Sequence, residues 1–291
     1  MKIGIATCSD IPRLTDGDRL FAEELSRRGL EPVPFIWDQT NSIEENWDAV
    51  IIRSVWDYHR KAEGFLNWLS QIESRSIPVI NAPGIIRWNS KKNYLLELQK
   101  SGVRIVPSVL IERPVRYTDG LNTFKNFGWS DLVLKPTVSA SAYLTFRTSV
   151  SDPMLPDYLE QIGRHSDILV QPYFPSIETD GELSLVFFRI GSSIIFSHSV
   201  LKRPKAGEFR VQSDFGGSVQ LITLSREIID FGHDVLSRIP QCWNFARVDV
   251  VNWKRDPLLG ELELIEPDLF FKLHPPAAEL LVDAVESELR S

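Results

Sequence analysis

The chain has 291 residues, of which 43% are hydrophobic and 24% charged, and its formal net charge is −7. This length allows two or three domains, and the negative charge argues against nucleic acid or an anionic membrane surface as the main partner. No stretch approaches the roughly 20 apolar residues of a membrane span, and the first residues hold too short an apolar run for a signal peptide. Cys8 and Cys242 lie far apart, which suggests a reducing compartment without a metal framework. We therefore expect a cytoplasmic protein.

The first 80 residues alternate between strand and helix patterns. The predicted elements in chain order are strand 2–7, helix 18–28, strand 31–36, strand 48–53, helix 65–72 and strand 77–80. Such alternation favours a small open α/β domain with a parallel sheet. Asn81, Pro83 and Gly84 mark its end.

The pattern then changes to one typical of antiparallel strands. The predicted elements are a helix capped by Ser90 and stopped by Gly102, strand 103–110, a turn-rich stretch 111–130, strands 131–135, 143–148, 168–172, 182–190 and 193–200, helix 225–239, strands 246–252 and 260–265, and helix 275–289. We therefore expect a second, α+β domain after the first.

Two lysines stand in different contexts. Lys92 lies at a predicted helix start, and Lys135 ends a predicted strand in DLVLKPTVSASA. An ammonium group beside small residues suits a phosphate, because backbone N–H groups can approach the phosphate oxygens. A solvated surface charge is the simpler interpretation of a lone lysine, but the apolar run before Lys135 favours buried surroundings.

Two further segments have polar groups suited to a ligand. Residues 171–174, Gln-Pro-Tyr-Phe, end a strand and can present amide groups to a purine edge, although packing of the aromatic pair is the simpler alternative. The segment KRPKAGEFRVQSDFGG, residues 202–217, combines phosphate- or carboxylate-binding cations with two glycines that allow close backbone approach to a ligand. A β-hairpin with a charged tip explains the cations but not the glycines.

Four acidic residues cluster near the end of the chain: Asp249, Glu261, Glu263 and Glu266. Glu261 and Glu263 alternate with leucines and so share one face of a strand, while a turn at 255–257 can join that strand to the one carrying Asp249. Carboxylates this close repel unless a cation lies between them, and hard oxygen ligands suit Mg²⁺. The alternative is a solvated strand face.

These features, in this order, resemble the ATP-grasp superfamily, and within it bacterial glutathione synthetase and the related cycloserine-forming ligase. VQPYFPSIETDGE resembles the hinge strand of glutathione synthetase, and KRPKAGEFRVQSDFGG resembles its R-I-P…G-E-T-R-G-N…G-G segment. IRSVWDY, GELSLVFF, FSHSVLKRP, FRVQ and ELELIEP resemble the cycloserine-ligase branch. The likeness covers most of the chain from about residue 50 onward.

The resemblance implies an α/β N-terminal parallel-sheet domain over residues 1–82 and an ATP-grasp α+β fold over 83–291. The latter consists of two lobes with antiparallel sheets, a small lobe over about 100–178 and a large lobe formed by the remainder. It also implies ATP and Mg²⁺ as cofactors and small molecules as substrates, with no nucleic acid or membrane partner. Relatives of this kind are commonly dimers, so a homodimer is an open alternative.

The resemblance also implies roles for individual residues. They are Lys92, Lys135, Ser139 and Ser141 for the ATP phosphates; Gln171, Pro172, Tyr173 and Phe174 for adenine; Glu182 for ribose; Asp249, Glu261 and Glu263 for Mg²⁺; Arg210 for the transferred phosphoryl group; and Lys202 as a further basic contact in catalysis. Two departures stand out. Glu263 falls where the family often has asparagine, so either the metal site is more acidic than usual or Glu266 shares the metal-binding role. Residues 139–142, Ser-Ala-Ser-Ala, replace glycines, which predicts a stiffer loop.

Substrate residues are expected beyond the carboxyl end of a predicted N-terminal strand. The candidates are Arg53, Trp56, Asp57 and Tyr58, with His198, Gly216, Gly217 and Glu266 elsewhere in the chain. An arginine and an aspartate with aromatic neighbours suit an amino-acid-like zwitterion. A helix start capped by Asp57 and a structural role for His198 are the corresponding alternatives.

The predicted function is that of an ATP-dependent carboxylate–amine ligase, which forms a C–N bond through an acyl phosphate and releases ADP and phosphate. Its substrate would be small and amino-acid-like, as for a cycloserine synthetase. The alternatives are ATP-dependent amino-acid tagging of a protein or peptide, and a non-catalytic nucleotide-binding regulator. The retained acidic cluster argues against the regulator.

Overall fold

The computed structural model describes residues 1–39, 43, 47–115, 127–212 and 215–290. Its helices are α1 (Asp16–Arg27), α2 (Ala62–Ser74), α3 (Pro83–Asn89), α4 (Tyr94–Lys100), α5 (Leu155–Gly163), α6 (Ser176–Thr179), α7 (Arg226–Ser237) and α8 (Pro276–Leu289). Its strands are β1 (Lys2–Thr7), β2 (Glu31–Ile36), β3 (Ala49–Ser54), β4 (Val79–Ile80), β5 (Val109–Ile111), β6 (Asp131–Pro136), β7 (Phe146–Ser149), β8 (Ile168–Pro172), β9 (Glu182–Ile190), β10 (Ser193–Arg203), β11 (Ser218–Leu221), β12 (Phe245–Val251) and β13 (Leu258–Glu263). Within these ranges, none of the helices has the length and apolar composition needed to cross a membrane.

The N-terminal sheet is parallel and has the strand order β2-β1-β3-β4. Strand β3 is buried along its whole length. Val50 and Ile52 pack into one hydrophobic cluster, whereas Ala49 and Ile51 pack into another on the opposite face. Burial on both faces is the reason that this strand has a continuous apolar sequence.

Two antiparallel sheets follow. The smaller has the order β5-β8-β6-β7, and the larger has the order β11-β10-β9-β12-β13. The turn predicted at 255–257 joins β12 and β13, which pair as an antiparallel hairpin. A parallel N-terminal sheet followed by two antiparallel sheets confirms the fold class expected from the sequence.

The predicted strand 103–110 is divided between the two antiparallel sheets. Ile105 bridges Leu259 beside the large sheet, whereas β5 pairs with β8 in the small one. Pro107 separates the two halves, and because proline has no N–H to donate, it interrupts a strand ladder. This stretch therefore connects the two lobes.

The segment around Ser90 also differs from its prediction. Instead of one helix capped by Ser90 there are two short helices, α3 and α4, and Ser90 ends the first, with its hydroxyl donating to Arg87 O at 2.7 Å. Helix α5 and strand β11 were not predicted, and the strand expected at 143–148 begins at Phe146. Residues 116–126 of the predicted turn-rich stretch lie outside the described residues.

Asn81 joins the N-terminal sheet to the large sheet. Its amide nitrogen donates to Phe245 O at 2.9 Å and to Leu264 O at 2.8 Å, while its amide oxygen accepts from the N–H of Phe245 at 3.1 Å. Asn81 is 1% exposed. One buried amide thus fixes the end of the first domain against two segments of the large sheet. The residues that follow β3 and those that follow β13 therefore lie side by side.

Candidate active site

A cavity of about 340 Å³ is lined by residues from both antiparallel sheets and from the N-terminal domain. The predicted site residues that line it are Trp56, Tyr58, Lys92, Lys135, Ser139, Ser141, Gln171, Pro172, Tyr173, Phe174, Glu182, Lys202, Arg210, Asp249, Glu261, Glu263 and Glu266. We refer to this cavity as the cleft. The fold therefore brings together most of the residues that the sequence singled out.

Lys135 points into the cleft because of strand alternation in β6. Leu132 and Leu134 are fully buried in the core of the small lobe, whereas Val133 and Lys135 line the cleft. Among the described residues, no group lies within hydrogen-bond or ion-pair distance of the Lys135 ammonium. Burial lowers the pKa of Lys135, and nearby Glu261 opposes that effect. An ammonium group held in a cleft without a partner is suited to bind an anion.

Lys92 is already paired. It lies between α3 and α4, and its ammonium donates to Ser139 O at 3.0 Å and to Glu261 Oε1 at 2.5 Å. Burial alone would lower its pKa, but Glu261 outweighs burial and the pKa is raised. Lys92 therefore connects the small-residue loop of one lobe to the acidic strand of the other.

The loop after Lys135 has an unusual backbone. Ser141, Ala142 and Leu144 have φ values of 50°, 54° and 49°, in the left-handed region that costs a non-glycine residue about 1–2 kcal/mol. The sequence predicts a stiffer loop here because residues with side chains replace glycines, and the stiffness of the loop stays a prediction.

Asp249 is surrounded by donors. Its Oδ1 accepts from Ser184 Oγ at 2.5 Å and from Arg247 Nε at 3.0 Å, and its Oδ2 accepts from Arg247 Nη2 at 3.0 Å and Lys202 Nζ at 3.2 Å. Burial would raise the pKa of Asp249, but Arg247 and Lys202 outweigh burial and lower it. A carboxylate has about four lone-pair positions, so a metal ion at Asp249 would have to displace one of these four donors.

Arg247 is the main cleft residue that the sequence reading missed. It lies two positions before Asp249 in β12, so both side chains share one face. Its guanidinium also donates to Glu263 and, at 3.2 Å, to Asp268 O. The signal was present in the FARVDVV segment as an Arg-x-Asp pair.

Strand β13 presents two carboxylates to the cleft. Glu261 and Glu263 line it, whereas Leu262 and Leu264 are buried in the core. Burial raises the pKa of Glu263 to about 8, with Arg247 opposing and the neighbouring carboxylates adding to the rise. Burial would also raise the pKa of Glu261, but Lys92 and Lys135 outweigh it and lower the pKa. The two acids on one strand thus differ in protonation near neutral pH.

The donor chemistry of β13 fits magnesium. Mg²⁺ usually takes one or two protein carboxylates together with substrate phosphates, and Glu261 and Glu263 supply two that share a face. Within the described ranges, no group of three or more acidic, histidine or cysteine side chains is arranged to hold a metal ion by itself. Phosphate oxygens would have to complete the coordination.

Stability should depend on pH through Glu263 and Glu266, because burial raises their pKa values from 4.5 to about 8 and about 7. A carboxyl group with a raised folded-state pKa contributes stability that is complete below its unfolded pKa and is lost as pH rises through the folded pKa. His59 and His198, whose pKa values burial lowers to about 4, act in the opposite direction only below about pH 6.5.

We therefore expect the metal-free protein to lose stability between about pH 6.5 and pH 8.5. Urea unfolding at several pH values measures the slope. Glu263→Gln and Glu266→Gln should each flatten it, and Glu279→Gln, at an exposed position of α8, should leave it unchanged. If all three variants kept the wild-type slope of unfolding free energy against pH, the pH dependence would not come from Glu263 and Glu266.

In the predicted adenine hinge, some polar groups are hydrogen-bonded within the small lobe and other groups face the cleft. Gln171 donates to Ser108 Oγ at 2.9 Å, and the N–H of Tyr173 donates to Asp131 O at 2.9 Å. The Arg147 guanidinium lies 3.5 Å from the Tyr173 ring centroid. Phe174 lines the cleft beside them. The segment therefore forms one wall of the cleft, and the Gln171 amide and the Tyr173 N–H already donate hydrogen bonds to the small lobe.

Arg210 lines the cleft but is held by a neighbour. Its Nε and Nη2 donate to the Glu208 carboxylate at 3.0 and 2.7 Å, and its guanidinium lies 3.6 Å from the Phe215 ring centroid. The hydrogen bonds from Arg210 lower the pKa of Glu208 to about 2. Contact with a transferred phosphoryl group would require Arg210 to exchange this partner.

Lys202 and Glu182 form an ion pair on adjacent strands of the large sheet. Lys202 is buried and also bonds to Asp249. Burial raises the pKa of Glu182, Lys202 opposes the rise and Asp249 adds to it. Glu182 and Lys202 thus lie beside Asp249 and Arg247 in the cleft lining, and we call these four residues together with Glu263 the acidic floor of the cleft.

Two predicted substrate residues, Arg53 and Asp57, lie outside the cleft lining. Arg53 is 2% exposed, and its guanidinium bonds to Asp18 at 2.9 Å and to Pro267 O at 2.9 Å. The Asp57 carboxylate accepts from Trp37 Nε1 at 2.8 Å and from Lys61 at 3.0 Å. Asp57 precedes a 3₁₀ turn, but its side chain makes no capping hydrogen bond. Asp57 thus bonds within the N-terminal domain, whereas Arg53 bonds both to that domain and to the segment after β13.

The remaining three predicted residues also lie outside the lining. His198 is buried, bonds to Ser197 Oγ at 2.9 Å and has its ring centroid 4.6 Å from that of His274, which matches the structural alternative. A Cβ on Gly217 would lie 2.1 Å from Val211 O. Gly216 has a φ of 81°. Gly217 therefore permits a close approach to the backbone of Val211, and Gly216 supplies a left-handed backbone conformation just before it.

A parallel N-terminal sheet, two antiparallel sheets and a cleft with lysines on one side and carboxylates on the other define the class of fold: it is the fold of solved ATP-grasp ligases such as PsnB, to which the chain is 16% identical with a TM-score of 0.64. Residues 3–81 match the family described as D-cycloserine synthetase DcsG, N-terminal domain.

Individual proteins show the same relationship. The chain is 22% identical over 272 residues to the cycloserine biosynthesis protein DcsG of Streptomyces lavendulae, covering 87% of each chain. The crystal structure of D-cycloserine synthetase DcsG superposes with a TM-score of 0.87 at 20% identity, covering 99% of this chain and 100% of that one. The ATP complex of D-alanine–D-alanine ligase from Bacillus anthracis gives a TM-score of 0.68 at 17% identity, covering 100% and 98%. These similarities confirm the resemblance to ATP-grasp ligases stated from the sequence.

Proposed function

We propose that the chain is an ATP-dependent carboxylate–amine ligase that acts on a small amino-acid-like substrate through an acyl phosphate. The observation that carries the proposal is the ammonium of Lys135, which has no partner among the described residues and lines the same cleft as the carboxylates of β13. ATP is the polyanion that relatives of this fold bind, as the complex of the Bacillus anthracis ligase illustrates. Its phosphates would lie between these two charged sides.

The residues of the cleft divide the work. Lys135 would bind the phosphates, and Lys92 would keep the small-residue loop close to them through Ser139. Residues 171–174 form the wall against which adenine would lie. Glu261 and Glu263 would hold Mg²⁺, which would supply positive charge to offset the charge that develops on the transferred phosphoryl group.

In the proposed reaction a substrate carboxylate oxygen attacks the γ-phosphorus, and the bond between the γ-phosphorus and the β–γ bridging oxygen breaks to release ADP. The amine nitrogen then attacks the acyl carbon, phosphate leaves and the nitrogen loses a proton. Little covalent chemistry falls to the protein, so positioning and electrostatics supply the rate. The enclosed cleft would also keep water from the acyl phosphate.

The test is a screen for ADP release with Mg²⁺-ATP over free amino acids, including D-alanine, D-serine and D-serine derivatives, with short peptides in parallel. We expect release with at least one free amino acid and none with Lys135→Ala. Release with peptides alone would support the tagging alternative. Tight nucleotide binding by Lys135→Ala, or no release with any substrate, would overturn the proposal.

A further inference from the structure

The cleft contains a buried carboxylate for which the described part of the chain provides no counter-ion. Glu266 is 8% exposed and lines the cleft. Among the described residues, no donor lies within hydrogen-bond or ion-pair distance of its carboxylate. A buried, unpaired carboxylate is unfavourable unless a cation joins it.

Neighbouring cations are already engaged elsewhere. Arg247 pairs with Asp249 and Glu263. Lys92 pairs with Glu261, and Arg53 pairs with Asp18. Each of these three cations would have to give up a carboxylate in order to reach Glu266. Protonation relieves the buried Glu266 carboxyl when the cleft is empty, and a cationic ligand would supply the counter-charge that its ionised form lacks.

The position of Glu266 is fixed from the N-terminal domain. Trp56 Nε1 donates to Glu266 O at 3.2 Å, and Arg53 Nη2 donates to Pro267 O at 2.9 Å. Glu266 thus lies where the first domain meets the large lobe, whereas Lys135 and the adenine wall belong to the small lobe. Glu266 therefore belongs to the wall of the cleft formed by the large lobe and the first domain, and the proposed adenine wall belongs to the small lobe.

Aromatic side chains accompany Glu266. Trp56, Tyr58 and Phe270 line the same cleft. An ammonium group is recognised by a carboxylate together with aromatic faces, and cation–π contacts contribute about 0.5–2 kcal/mol. We propose that Glu266, Trp56, Tyr58 and Phe270 form a subsite for the ammonium group of the substrate. This inference rests on the proposed ligase function and narrows its substrate class to small amino acids with a free ammonium group.

The subsite gives Glu266 a different role from Glu261 and Glu263. Those two acids share the face of β13 that is suited to Mg²⁺, whereas Glu266 follows the strand and is held by Trp56. A ligand ammonium at Glu266 would leave the metal carboxylates free to meet the phosphates. If Glu266 instead bound the metal, its removal would weaken nucleotide binding.

The experiment compares ligands that differ only in the ammonium group. D-alanine with D-lactate and D-serine with D-glycerate are such pairs, since a hydroxyl replaces the amine. Binding is measured by calorimetry on the whole chain, with Mg²⁺ and a non-hydrolysable ATP analogue, for wild type, Glu266→Gln and the exposed control Glu279→Gln. Glu266→Gln removes an unpaired buried charge, so it should fold at least as stably as wild type.

We expect wild type to bind an amino acid more tightly than its hydroxy acid, and Glu266→Gln to weaken amino-acid binding about 10- to 100-fold. Binding of the Mg²⁺–nucleotide should change less than about twofold, because the proposed phosphate, adenine and metal contacts are made by residues other than Glu266. Glu279→Gln should behave as wild type.

Three outcomes would overturn the subsite. In the first, Glu266→Gln weakens nucleotide binding as much as it weakens amino-acid binding. In the second, wild type binds an amino acid and its hydroxy acid equally tightly, and in the third it binds neither. Binding does not require turnover, so the two proposals fail separately. If wild type bound an amino acid through Glu266 but released no ADP in the screen, the ligase reaction would be contradicted and the subsite would be supported.

Discussion

Replacing Lys135 with methionine is expected to weaken Mg²⁺–ATP binding by about 10- to 100-fold while making the nucleotide-free protein more stable. The two effects have one cause. The ammonium of Lys135 is partly buried without a partner among the described residues, so the free protein bears its desolvation and the bound phosphates relieve it. Methionine keeps most of the apolar length of the side chain and removes the charge.

The measurements are nucleotide binding by calorimetry and urea unfolding without nucleotide. Lys91→Met is the matched control, because Lys91 is exposed and adjacent to Lys92. We expect a gain of about 1 kcal/mol in unfolding free energy for Lys135→Met and almost none for Lys91→Met. Lower stability with unchanged nucleotide binding would mean that Lys135 has a structural role and that the phosphates lie elsewhere.

The fold was predictable where local patterns decide it. Strand–helix alternation before residue 82 indicated the parallel sheet, and the alternation of glutamate and leucine in ELEL placed two carboxylates on one face of β13. Lys135 was predictable for the same reason, since the apolar residues before it occupy the core of the small lobe. In each case the side-chain period is a property of the strand itself.

Partners across long sequence separations were not predictable. The choice of sheet on either side of Pro107 depends on Leu259 and on β8, which lie far along the chain. Asn81 looked like a turn residue, but it bonds to strands more than 160 positions away. A propensity pattern carries no information about which distant backbone groups will need a partner.

Arg53 shows how a correct location can still give a wrong contact. The residue follows the apolar run of β3, where a ligand site was expected. Its side chain instead packs with its guanidinium 5.4 Å from the ring centroid of Phe245 and 5.7 Å from that of Phe271, and pairs with Asp18. Trp56, three residues later, reaches the cleft. The direction of the chain after β3 determines that the Trp56 side chain, and not that of Arg53, lines the cleft.

The second large effect concerns Arg247. Its guanidinium is 8% exposed and neutralises both Asp249 and Glu263. Removing one partner of a buried ion pair costs about 3–5 kcal/mol, because the charge left behind is buried and unpaired. We therefore expect Arg247→Met to lower the free energy of unfolding by about that amount near pH 8 and to abolish ADP release. The exposed Arg255→Met in the β12–β13 turn is the control.

The origin of this cost can be separated by a second substitution. Asp249→Asn in the Arg247→Met background removes one stranded carboxylate, so the double variant should recover part of the lost stability, with a coupling of about 1–3 kcal/mol in a double-mutant cycle. Lowering the pH through about 8, the pKa of Glu263, should also reduce the difference between Arg247→Met and wild type, since a protonated Glu263 no longer needs the guanidinium. Additive losses at every pH would show that Arg247 stabilises the sheet by packing against Phe270 rather than by neutralising the acidic floor of the cleft.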